Sequence, residues 1–463
     1  GRSRARGLRL RTEDLIGTDE TALTALGAAL TAARALPAPG WMIRLGLDEP
    51  QGAAERFLAL VRRQVLARAY RTTRPYGLEC SVRPPLDGLT EAATVLAAAL
   101  AQLEQALKSL AQRLADLLDE QADSLDSASR GRIESVRRGI KHRVLLPLAV
   151  WRDMLDCLIA PPARSPQKPP SHFDWLGLER SDGQERDVGL HRAWIDPTQP
   201  FAQTVMAPAH GVVITSATLR DGADQTEAEW RAAEGRTGSR HLPARPLWSS
   251  VASPFDYPAR TRVLIVTDVR KDSIEQVAAA YRVLFLAAGG GGLGLFTAIS
   301  RLREVHRRIA APLEAAGLPL LAQHVDGMDP ATLVEIFRAE ESSCLLGTDA
   351  LRDGMDVPGR ALRLIVFDRV PWPRPDLLHR ARRACFGGRA YDERLTRLRL
   401  KQAFGRLIRR AGDQGVFILL DPTMGPELFG AFPPGVIPRR LGLAQAVRET
   451  AAILAPSRSR NTL

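Results

Sequence analysis

The sequence predicts an α/β protein in which a parallel sheet covered by helices follows an α-helical region. Short β-rich runs alternate with amphipathic helical stretches over residues 245–463. Upstream, a leucine repeat with steps of four and three residues runs from Leu96 to Leu117. The proline-rich segment 161–172 cannot continue a helix and lies between these two regions of different sequence pattern. We therefore expect at least two domains, which also fits a chain of 463 residues.

Seven runs of apolar and β-branched residues predict strands, and helical stretches fall between most of them. The predicted strands are 212–215, 263–267, 293–297, 318–322, 345–348, 362–367 and 416–420, and the predicted helices lie near 272–287, 299–315, 330–339 and 391–411. Such alternation indicates a parallel sheet with helices on both faces. Ligands of these sheets bind beyond the carboxyl ends of the strands, so residues that directly follow a strand are candidate site residues.

The leucine repeat is a heptad pattern and predicts a long helix that packs against a second one. A second helical stretch runs from about 131 to 159 and places Ile133, Val136, Ile140 and Val144 on one side. An antiparallel helical hairpin is the economical interpretation. The second helix also carries six basic residues, namely Arg130, Arg132, Arg137, Arg138, Lys141 and Arg143. They either follow a phosphate backbone or form a solvated helix face.

Composition favours a folded protein with a polyanionic partner. The chain has 64 Lys and Arg against 52 Asp and Glu, which gives a net charge of +12. This charge suits nucleic acid, although arginine-rich chains also carry solvated charge that has no partner. Charged and proline residues interrupt every apolar stretch before it could span a membrane, so we expect no membrane association. The four cysteines form no C-x-x-C pair, which predicts reduced thiols, a cytoplasmic location and no metal site.

The first candidate site follows the predicted strand 212–215. Ser216, Ala217 and Thr218 are small, and two of them carry hydroxyls. Ser216 and Thr218 could pass hydrogen bonds between a nucleotide phosphate and a neighbouring domain. The same residue types also cap helices, so this tripeptide is a weak signal by itself.

The second candidate site is the loop that follows the predicted strand 345–348. It is rich in glycine and acidic residues and includes Gly354 and Asp356. Gly354 would allow a sugar to approach the backbone, and Asp356 could accept a hydrogen bond from a ribose hydroxyl. A plain turn is the alternative.

The third candidate site lies at the end of the predicted helix 391–411. Gln402, Gly405, Arg406 and Arg409 follow the spacing i, i+3, i+4 and i+7, which predicts that they share one helical face. Two arginines one turn apart can stabilise charge that develops on a transferred phosphoryl group. An arginine-rich surface is the alternative.

Together these motifs resemble those of the DinG-type helicases, which are related to Rad3 and XPD within helicase superfamily 2. Residues 216–219 resemble motif III, residues 253–255 the segment that leads into the second motor domain, 295–297 motif IV, 354–359 motif V and 402–409 motif VI. The resemblance covers about 173–445. It implies arginine-finger positions for Arg406 and Arg409, with Gln402 beside them, and nucleotide-binding positions for Gly354, Asp356, Gly405, Ser216 and Thr218.

The resemblance also implies a domain organisation with RecA-like motor domains. Residues 1–160 would be an Arch-like helical insertion, and 161–172 a connector. Residues 173–230 would be the carboxyl-terminal end of the first motor domain, and 245–463 the second motor domain. The implied cofactor is ATP with Mg²⁺, and the implied partner is DNA, in single-stranded form.

Two elements of such a motor are absent from the sequence. No Gly-Lys dipeptide exists to end a phosphate-binding loop, and no Asp-Glu pair follows a predicted strand. We therefore expect the main phosphate and metal ligands to lie outside these residues and the isolated piece to hydrolyse little ATP. An iron-sulphur cluster cannot be assigned from these cysteines. The first hypothesis is an ATP-dependent DNA helicase, and the alternative is an ATP-independent module that binds single-stranded nucleic acid.

Overall fold

Two groups of elements make up the computed structural model, which describes residues 2–68, 77–121, 125–161, 170–181, 183–220, 226–348, 351 and 355–455, with side chains from residue 9. The first unit comprises residues 1–196 and 375–382, and the second comprises 197–374 and 383–463. No helix in the described part of the chain combines the length and the apolar character that crossing a membrane requires.

The first unit is mainly helical. Its helices are α1 (Arg2–Ile16), α2 (Glu20–Ala32), α3 (Trp41–Gly46), α4 (Gly52–Arg68), α5 (Leu89–Glu120), α6 (Ser127–Ile140) and α7 (Leu146–Ile159). A three-stranded antiparallel sheet in the order β1 (Leu78–Ser81), β2 (His172–Ser181) and β3 (Gln184–Trp194) joins them. The sequence analysis did not predict these three strands.

The predicted helical hairpin is present, and the heptad leucines form its seam. Six of the seven leucines of the repeat from Leu96 to Leu117 are buried, and Leu107 is half-buried. The carboxyl-terminal half of α5 packs on Ile133, Val136 and Ile140 of α6. Its amino-terminal half packs on Leu148, Leu155 and Leu158 of α7, so the two arms run antiparallel. Alternating steps of four and three residues were sufficient to predict this packing because they keep one face of each helix apolar.

A single π-turn, Lys141–Leu145, joins α6 to α7 without a break in the helical rod. A π-turn accommodates one extra residue per turn and widens the helix locally. The second arm of the hairpin is therefore continuous, as predicted, but its two halves differ in register.

Glu55 anchors the amino-terminal helices from a buried position on α4. Its carboxylate accepts from Arg44 Nε at 2.9 Å, from Ala38 N at 3.2 Å and from Gln51 N at 2.9 Å. The hydrogen bond from Arg44 lowers the pKa of Glu55 to about 2, against an opposing effect of burial. A depressed pKa means that the charged carboxylate stabilises the fold above the ordinary pKa of 4.5, and that this stabilisation is lost as pH falls towards 2.

We therefore expect Glu55→Gln to destabilise the chain by about 3 kcal/mol at neutral pH, since each pKa unit is worth about 1.4 kcal/mol. The difference from the wild type should shrink as pH falls from 4.5 to 2, the range that the depressed pKa sets. Urea unfolding of both chains at several pH values measures it. A pH-independent difference between the two chains would show that the charge of Glu55 is not what stabilises these helices.

The second unit is built on a seven-stranded parallel sheet. In chain order its strands are β4 (Thr261–Val266), β5 (Gly292–Phe296), β6 (Leu320–Ala322), β7 (Cys344–Thr348), β8 (Leu364–Phe367), β9 (Gly415–Leu419) and β10 (Arg439–Leu441). Their order across the sheet is β10-β4-β9-β8-β5-β7-β6, and every adjacent pair is parallel. The α/β fold class is therefore confirmed. Six of the seven predicted strands are present, and β10 was not predicted.

The helices of the second unit are α8 (Thr198–Phe201), α9 (Glu227–Thr237), α10 (Tyr257–Arg260), α11 (Ile274–Ala288), α12 (Ile299–Ala315), α13 (Pro330–Ala339), α14 (Leu377–Cys385), α15 (Arg389–Phe404) and α16 (Leu443–Leu454), where α14 is divided between the two units. Of these, α11, α12 and α16 cover one face of the sheet, and α13 and α15 cover the other. Alternate residues of β4 enter two separate hydrophobic clusters: Val263 and Ile265 one, Leu264 and Val266 the other. Strands that are buried on both faces account for the uninterrupted apolar runs in the sequence.

Two glycines of β5 let helix α11 approach the sheet closely. A Cβ at Gly294 would lie 2.7 Å from the ring of Tyr281, and one at Gly292 would lie 2.7 Å from the ring of Phe285. Tyr281 is fully buried and donates from its hydroxyl to Val366 O at 3.1 Å. Burial raises the pKa of Tyr281, which keeps this hydroxyl a donor. The contact fixes α11 over β5 and β8 in the interior of the sheet.

One predicted strand, 212–215, is wrong. Residues 211–216 have no strand partner, and Val213 is 92% exposed. A β-strand requires a neighbouring strand to bond its backbone. Within the described residues each strand of the parallel sheet pairs elsewhere, so this apolar segment has none.

Candidate active site

Helix α15 ends earlier than predicted, and this changes the geometry of the third motif. The helix stops at Phe404, and the chain then turns through bonds from Arg406 N to Ala403 O at 3.1 Å and from Leu407 N to Phe404 O at 3.0 Å. The prediction that Gln402, Gly405, Arg406 and Arg409 share one helical face is therefore wrong.

Two features end the helix. Gly405, directly after the last helical residue, has low helix propensity. Beyond it, the carboxylate of Asp413 accepts from Arg409 N at 2.9 Å and from Arg410 N at 2.8 Å. In a continuous helix these two amides would bond to backbone carbonyls four residues earlier, so Asp413 competes with the helix for them.

The turn brings the two arginines of the third motif to the loop of the second motif. Arg406 Nη1 donates to Met355 O at 2.6 Å. Arg409 Nε lies 3.4 Å from Asp356 Oδ1. Met355 and Val357 are buried in the core on either side of Asp356, whose own side chain is exposed. Arg406 and Arg409 thus lie close to the loop of Asp356, which is about fifty positions away in the sequence.

The remaining predicted residues are placed less closely. Gln402 is half-buried in the last turn of α15, and Gly405 is exposed at its end. Gly354 falls outside the described residues. Gly405 therefore borders the arginine turn.

Ser216 and Thr218 form a local turn. Thr218 N donates to Ser216 Oγ at 3.1 Å, and the two hydroxyl oxygens lie 3.2 Å apart. Ser216 is exposed and Thr218 is half-buried, and within the described residues the structure shows no hydrogen bond between them and the arginine turn. Two residues later, Arg220 O accepts from Lys401 Nζ at 2.9 Å, which ties this segment to α15. The structure thus brings the first motif to the helix of the third motif, but not to its arginines.

A second polar network lies at the carboxyl ends of β5 and β8. Asp368 directly follows β8, is fully buried, and accepts from Thr297 N at 3.1 Å and from Arg301 Nε at 2.7 Å. Arg301 also donates to Lys271 O at 2.9 Å. Burial raises the pKa of Asp368, and the hydrogen bond from Arg301 opposes that effect. Asp368 therefore fixes the start of α12 to the end of β5, where the sequence resembles motif IV.

Asp421 plays a comparable part after β9. Its carboxylate accepts from Lys271 Nζ at 3.2 Å, from Val370 N at 3.2 Å and from Thr423 Oγ1 at 2.7 Å. Burial alone would raise the pKa of Asp421, but these hydrogen bonds together lower it. Lys271 is thereby held through both its ammonium and its carbonyl.

The sequence analysis missed Asp368, Asp413 and Asp421. The signal for two of them was present: each is an acidic residue directly after a fully apolar strand, which is where such sheets place polar ligands or anchors. Asp413 had no comparable signal because its role depends on where α15 ends. Across the described residues, no group of three or more His, Cys, Asp or Glu side chains could hold a metal ion.

We expect Asp413→Ala to release the turn that carries Arg409. Two partly buried amides would lose their acceptor, a loss of about 1–2 kcal/mol. Exchange of the Arg409 and Arg410 amides should become about ten-fold faster or more, since about 1.4 kcal/mol is a factor of ten. Hydrogen exchange resolved by residue measures this.

Asp413→Asn is the matched control because its amide oxygen can still accept both bonds, and it should keep the slow exchange. Equal exchange rates in the Ala variant and the wild type would show that Asp413 does not hold the turn.

Comparisons with known proteins find similarity to helicases. Residues 282–432 match the family model described as "Helicase C-terminal domain". The chain is 34% identical over 306 residues to "ATP-dependent helicase DinG" of Mycobacterium tuberculosis (strain ATCC 25618 / H37Rv). That alignment covers 61% of this chain and 43% of the relative. It is 28% identical over 273 residues to "3'-5' exonuclease DinG" of Bacillus subtilis (strain 168), covering 55% of this chain and 28% of that protein.

The chain thus spans less than half the length of these relatives. Among solved structures, a chain titled "XPD_Helicase" aligns with 69% of this chain and 56% of its own length, at 15% identity and a TM-score of 0.41. That likeness is too distant to carry an argument. The matched family region contains both Asp356 and the arginine turn.

Proposed function

The chain is a relative of the DinG-type helicases with a helicase C-terminal domain at residues 282–432, and from this premise we propose that it supplies half of the ATP site of a DNA helicase. In this proposal the sheet of the second unit is the second motor domain. Residues from outside this chain hold the phosphates and the metal. The two parts close on ATP and step along single-stranded DNA as ATP is hydrolysed.

The observation that carries the proposal is the convergence of Arg406 and Arg409 on the loop of Asp356. Two guanidinium groups within one turn can share the negative charge of a triphosphate. A carboxylate next to them can accept a hydrogen bond from a ribose hydroxyl. A solvated arginine-rich surface has no reason to bring two arginine side chains against one loop that carries a carboxylate.

In this proposal each residue has one role. Arg406 and Arg409 stabilise charge on the terminal phosphoryl group as it is transferred to water. Gln402 lies one turn before them, where it can contact the same group, and Gly405 leaves room for it. Asp356 and Gly354 receive the ribose. Ser216 and Thr218 transmit the nucleotide state between the two motor domains, and the bond from Lys401 to the following segment supports that link.

ATP bound with Mg²⁺ would supply the energy of phosphoryl transfer. The residues present fit one side of such a nucleotide, because arginine side chains bind phosphate well. They do not fit the metal, since the described residues include no cluster of metal-binding side chains. A net charge of +12 supports DNA as the polymer along which the motor steps.

The test is an assay of the product of the complete reading frame. We expect ATP hydrolysis that single-stranded DNA stimulates, together with strand separation of a tailed duplex. DNA binding with a steep salt dependence but no hydrolysis would instead support an ATP-independent binding module. Absence of both activities would exclude a nucleic-acid motor.

A further inference from the structure

Gln323 lies directly after β6, at the point where that short strand leaves the sheet. Its backbone still bonds to β7, from Gln323 N to Leu346 O at 2.9 Å. In a parallel pair the next bond would run from Thr348 N to the backbone carbonyl of Gln323. Thr348 N donates instead to the side-chain oxygen Oε1 of Gln323, at 3.0 Å. The side chain of Gln323 thus supplies the acceptor that a longer β6 would have provided.

The same side-chain oxygen accepts a second hydrogen bond from Thr348. Thr348 Oγ1 donates to Gln323 Oε1 at 2.9 Å, and Gln323 is 5% exposed. One buried oxygen therefore accepts from both donors of a single residue. A backbone amide can only donate, so the orientation of the Gln323 side-chain amide is fixed. Its Nε2 has no acceptor among the residues that the structure describes, so the oxygen alone makes the contact.

The turn that follows β6 holds Gln323 in place. His324 has a positive φ of 66°, a left-handed backbone conformation that is uncommon outside glycine. Arg303 Nε donates to His324 O at 3.1 Å. On the other side, Asp326 Oδ2 accepts from Ala322 N at 2.7 Å. These bonds fix the backbone before and after Gln323, so its side chain is presented to β7 from a defined position.

Thr348 is the last residue of β7, and the loop of the second motif begins directly after it. Leu351 of this loop is buried and folds back over the end of the strand. A Cβ at Gly347 would overlap the side chain of Leu351. The start of the loop is therefore packed against its own strand, and a displacement of Thr348 would displace the loop.

The other end of the loop is held by the arginine turn. Met355 is buried in the core, and its carbonyl accepts from Arg406 Nη1 at 2.6 Å. Asp356 directly follows Met355, and its side chain is 69% exposed. Gln323 at the start and Arg406 at the end thus hold the loop from two sides, and the exposed carboxylate of Asp356 depends on both.

Many buried glutamines only satisfy backbone groups. Gln64 of the first unit is such a residue, because it is 1% exposed and its Oε1 accepts from Leu86 N at 2.7 Å. Gln323 differs in what it binds, since its partner Thr348 begins a loop of the candidate active site. The two glutamines therefore make a matched pair for an experiment.

We propose that Gln323 is a positioning residue of the nucleotide site, which places the loop of Asp356 for contact with the ribose of ATP. This inference rests on the proposed function, in which Asp356 accepts a hydrogen bond from a ribose hydroxyl. Gln323 acts through Thr348 and does not touch the nucleotide. Without its oxygen the start of the loop loses two hydrogen bonds, and Asp356 is no longer held where the ribose requires it.

The test is steady-state hydrolysis by the product of the complete reading frame with saturating single-stranded DNA. The substrates are ATP, 2′-deoxy-ATP and 3′-deoxy-ATP, which differ only in their ribose hydroxyls. The ratio of kcat/KM for ATP to that for each analogue measures ribose selectivity. A loss of stability alone lowers all three rates together, whereas a displaced Asp356 changes the ratio.

We expect the wild type to prefer ATP about ten-fold or more over the analogue that lacks the hydroxyl bound by Asp356, because a hydrogen bond to a charged group is lost. Gln323→Ala should reduce this preference to about two-fold or less, through a higher KM for ATP and with kcat nearly unchanged. Combined with Asp356→Ala, it should cause no further loss of selectivity, because it acts through Asp356.

Three further variants separate positioning from stability. Gln323→Glu should keep most of the selectivity, because a carboxylate oxygen accepts the same two bonds. Thr348→Val removes only the hydroxyl donor and should lower the selectivity in part, which also tests the contact if Gln323→Ala does not fold. Gln64→Ala is the matched control and should keep the wild-type ratio.

An active wild type with the same ratio in Gln323→Ala would overturn the proposal and leave the motor function intact. An equal change of the ratio in Gln64→Ala would also overturn it, and so would a wild type that hydrolyses ATP without preference over either analogue. A wild type that shows no DNA-stimulated hydrolysis would overturn the proposed function together with this inference.

Discussion

Replacing Arg409 by Ala should lower DNA-stimulated ATP hydrolysis by the product of the complete reading frame about a thousand-fold. Arginines that contact the transferred phosphoryl group are worth about 10³–10⁵ in turnover. The loss should fall on kcat more than on the KM for ATP, because this charge develops mainly in the transition state. Arg409→Lys should recover little of the activity because an ammonium lacks the planar, two-point geometry of a guanidinium.

Arg410→Ala is the control for this prediction. It removes the same charge from the neighbouring residue, whose exposed side chain makes no hydrogen bond or ion pair with any described residue. Activity should stay within about two-fold of the wild type, as expected for a solvated surface position. Steady-state hydrolysis with saturating single-stranded DNA measures all three variants. Similar activities for Arg409→Ala and Arg410→Ala would show that Arg409 does not contact the transferred phosphoryl group.

The ion pair between Arg409 and Asp356 does not conflict with this role. The pair is 3.4 Å long and partly exposed. Surface pairs of this kind contribute about 0–1 kcal/mol. A triphosphate with several negative charges competes easily with one exposed carboxylate, so the guanidinium can move to a bound nucleotide at little cost.

The second large effect concerns Asp368 and Arg301, and a double-mutant cycle tests it. Asp368→Ala should destabilise the sheet by about 3–5 kcal/mol, because Arg301 would remain partly buried without its counter-charge. Arg301→Ala should also destabilise it, because a buried carboxylate would be left unpaired. The double variant should cost less than the sum by about 1–3 kcal/mol. Native-state hydrogen exchange at Leu295 and Val366 reports the opening of this unit.

The stability of Arg301→Ala should also depend on pH, in a direction that the pKa of Asp368 determines. Burial raises the pKa of Asp368 above its ordinary value of 3.8, so the folded state takes up a proton more readily than the unfolded state. Without Arg301 this tendency increases, and Arg301→Ala should therefore recover stability as pH falls towards the raised pKa. Strictly additive effects in the double-mutant cycle would show that Asp368 and Arg301 are not coupled. A stability of Arg301→Ala that only decreases as pH falls would show the same.

The sequence predicted the sheet well because its strands are buried on both faces. Runs such as 416–420 are apolar throughout, and the positions between them carry helical patterns, so pattern alone was enough. The exception was 212–215, where the residues are equally apolar. A strand depends on a partner strand, and periodicity within one segment does not reveal whether a partner exists.

The site was predicted less completely, for a related reason. The spacing of Gln402, Gly405, Arg406 and Arg409 suggested a shared helical face, but the helix ends where Gly405 begins the turn. What brings Arg406 to Met355 and Arg409 to Asp356 is a long-range contact that helical spacing does not contain. Asp413 illustrates the same limit, because its carboxylate has a role only once the turn exists.

The π-turn between α6 and α7 sets which side chains of α7 face α5. One additional residue there rotates everything downstream by about 100° relative to a regular helix. Deleting one residue from 141–145 should therefore turn Leu148, Leu155 and Leu158 away from the heptad seam and bring a different set of side chains against it. The present pairing of the two arms thus depends on the extra residue of the π-turn, and a chain without it would need a different set of apolar positions on α7.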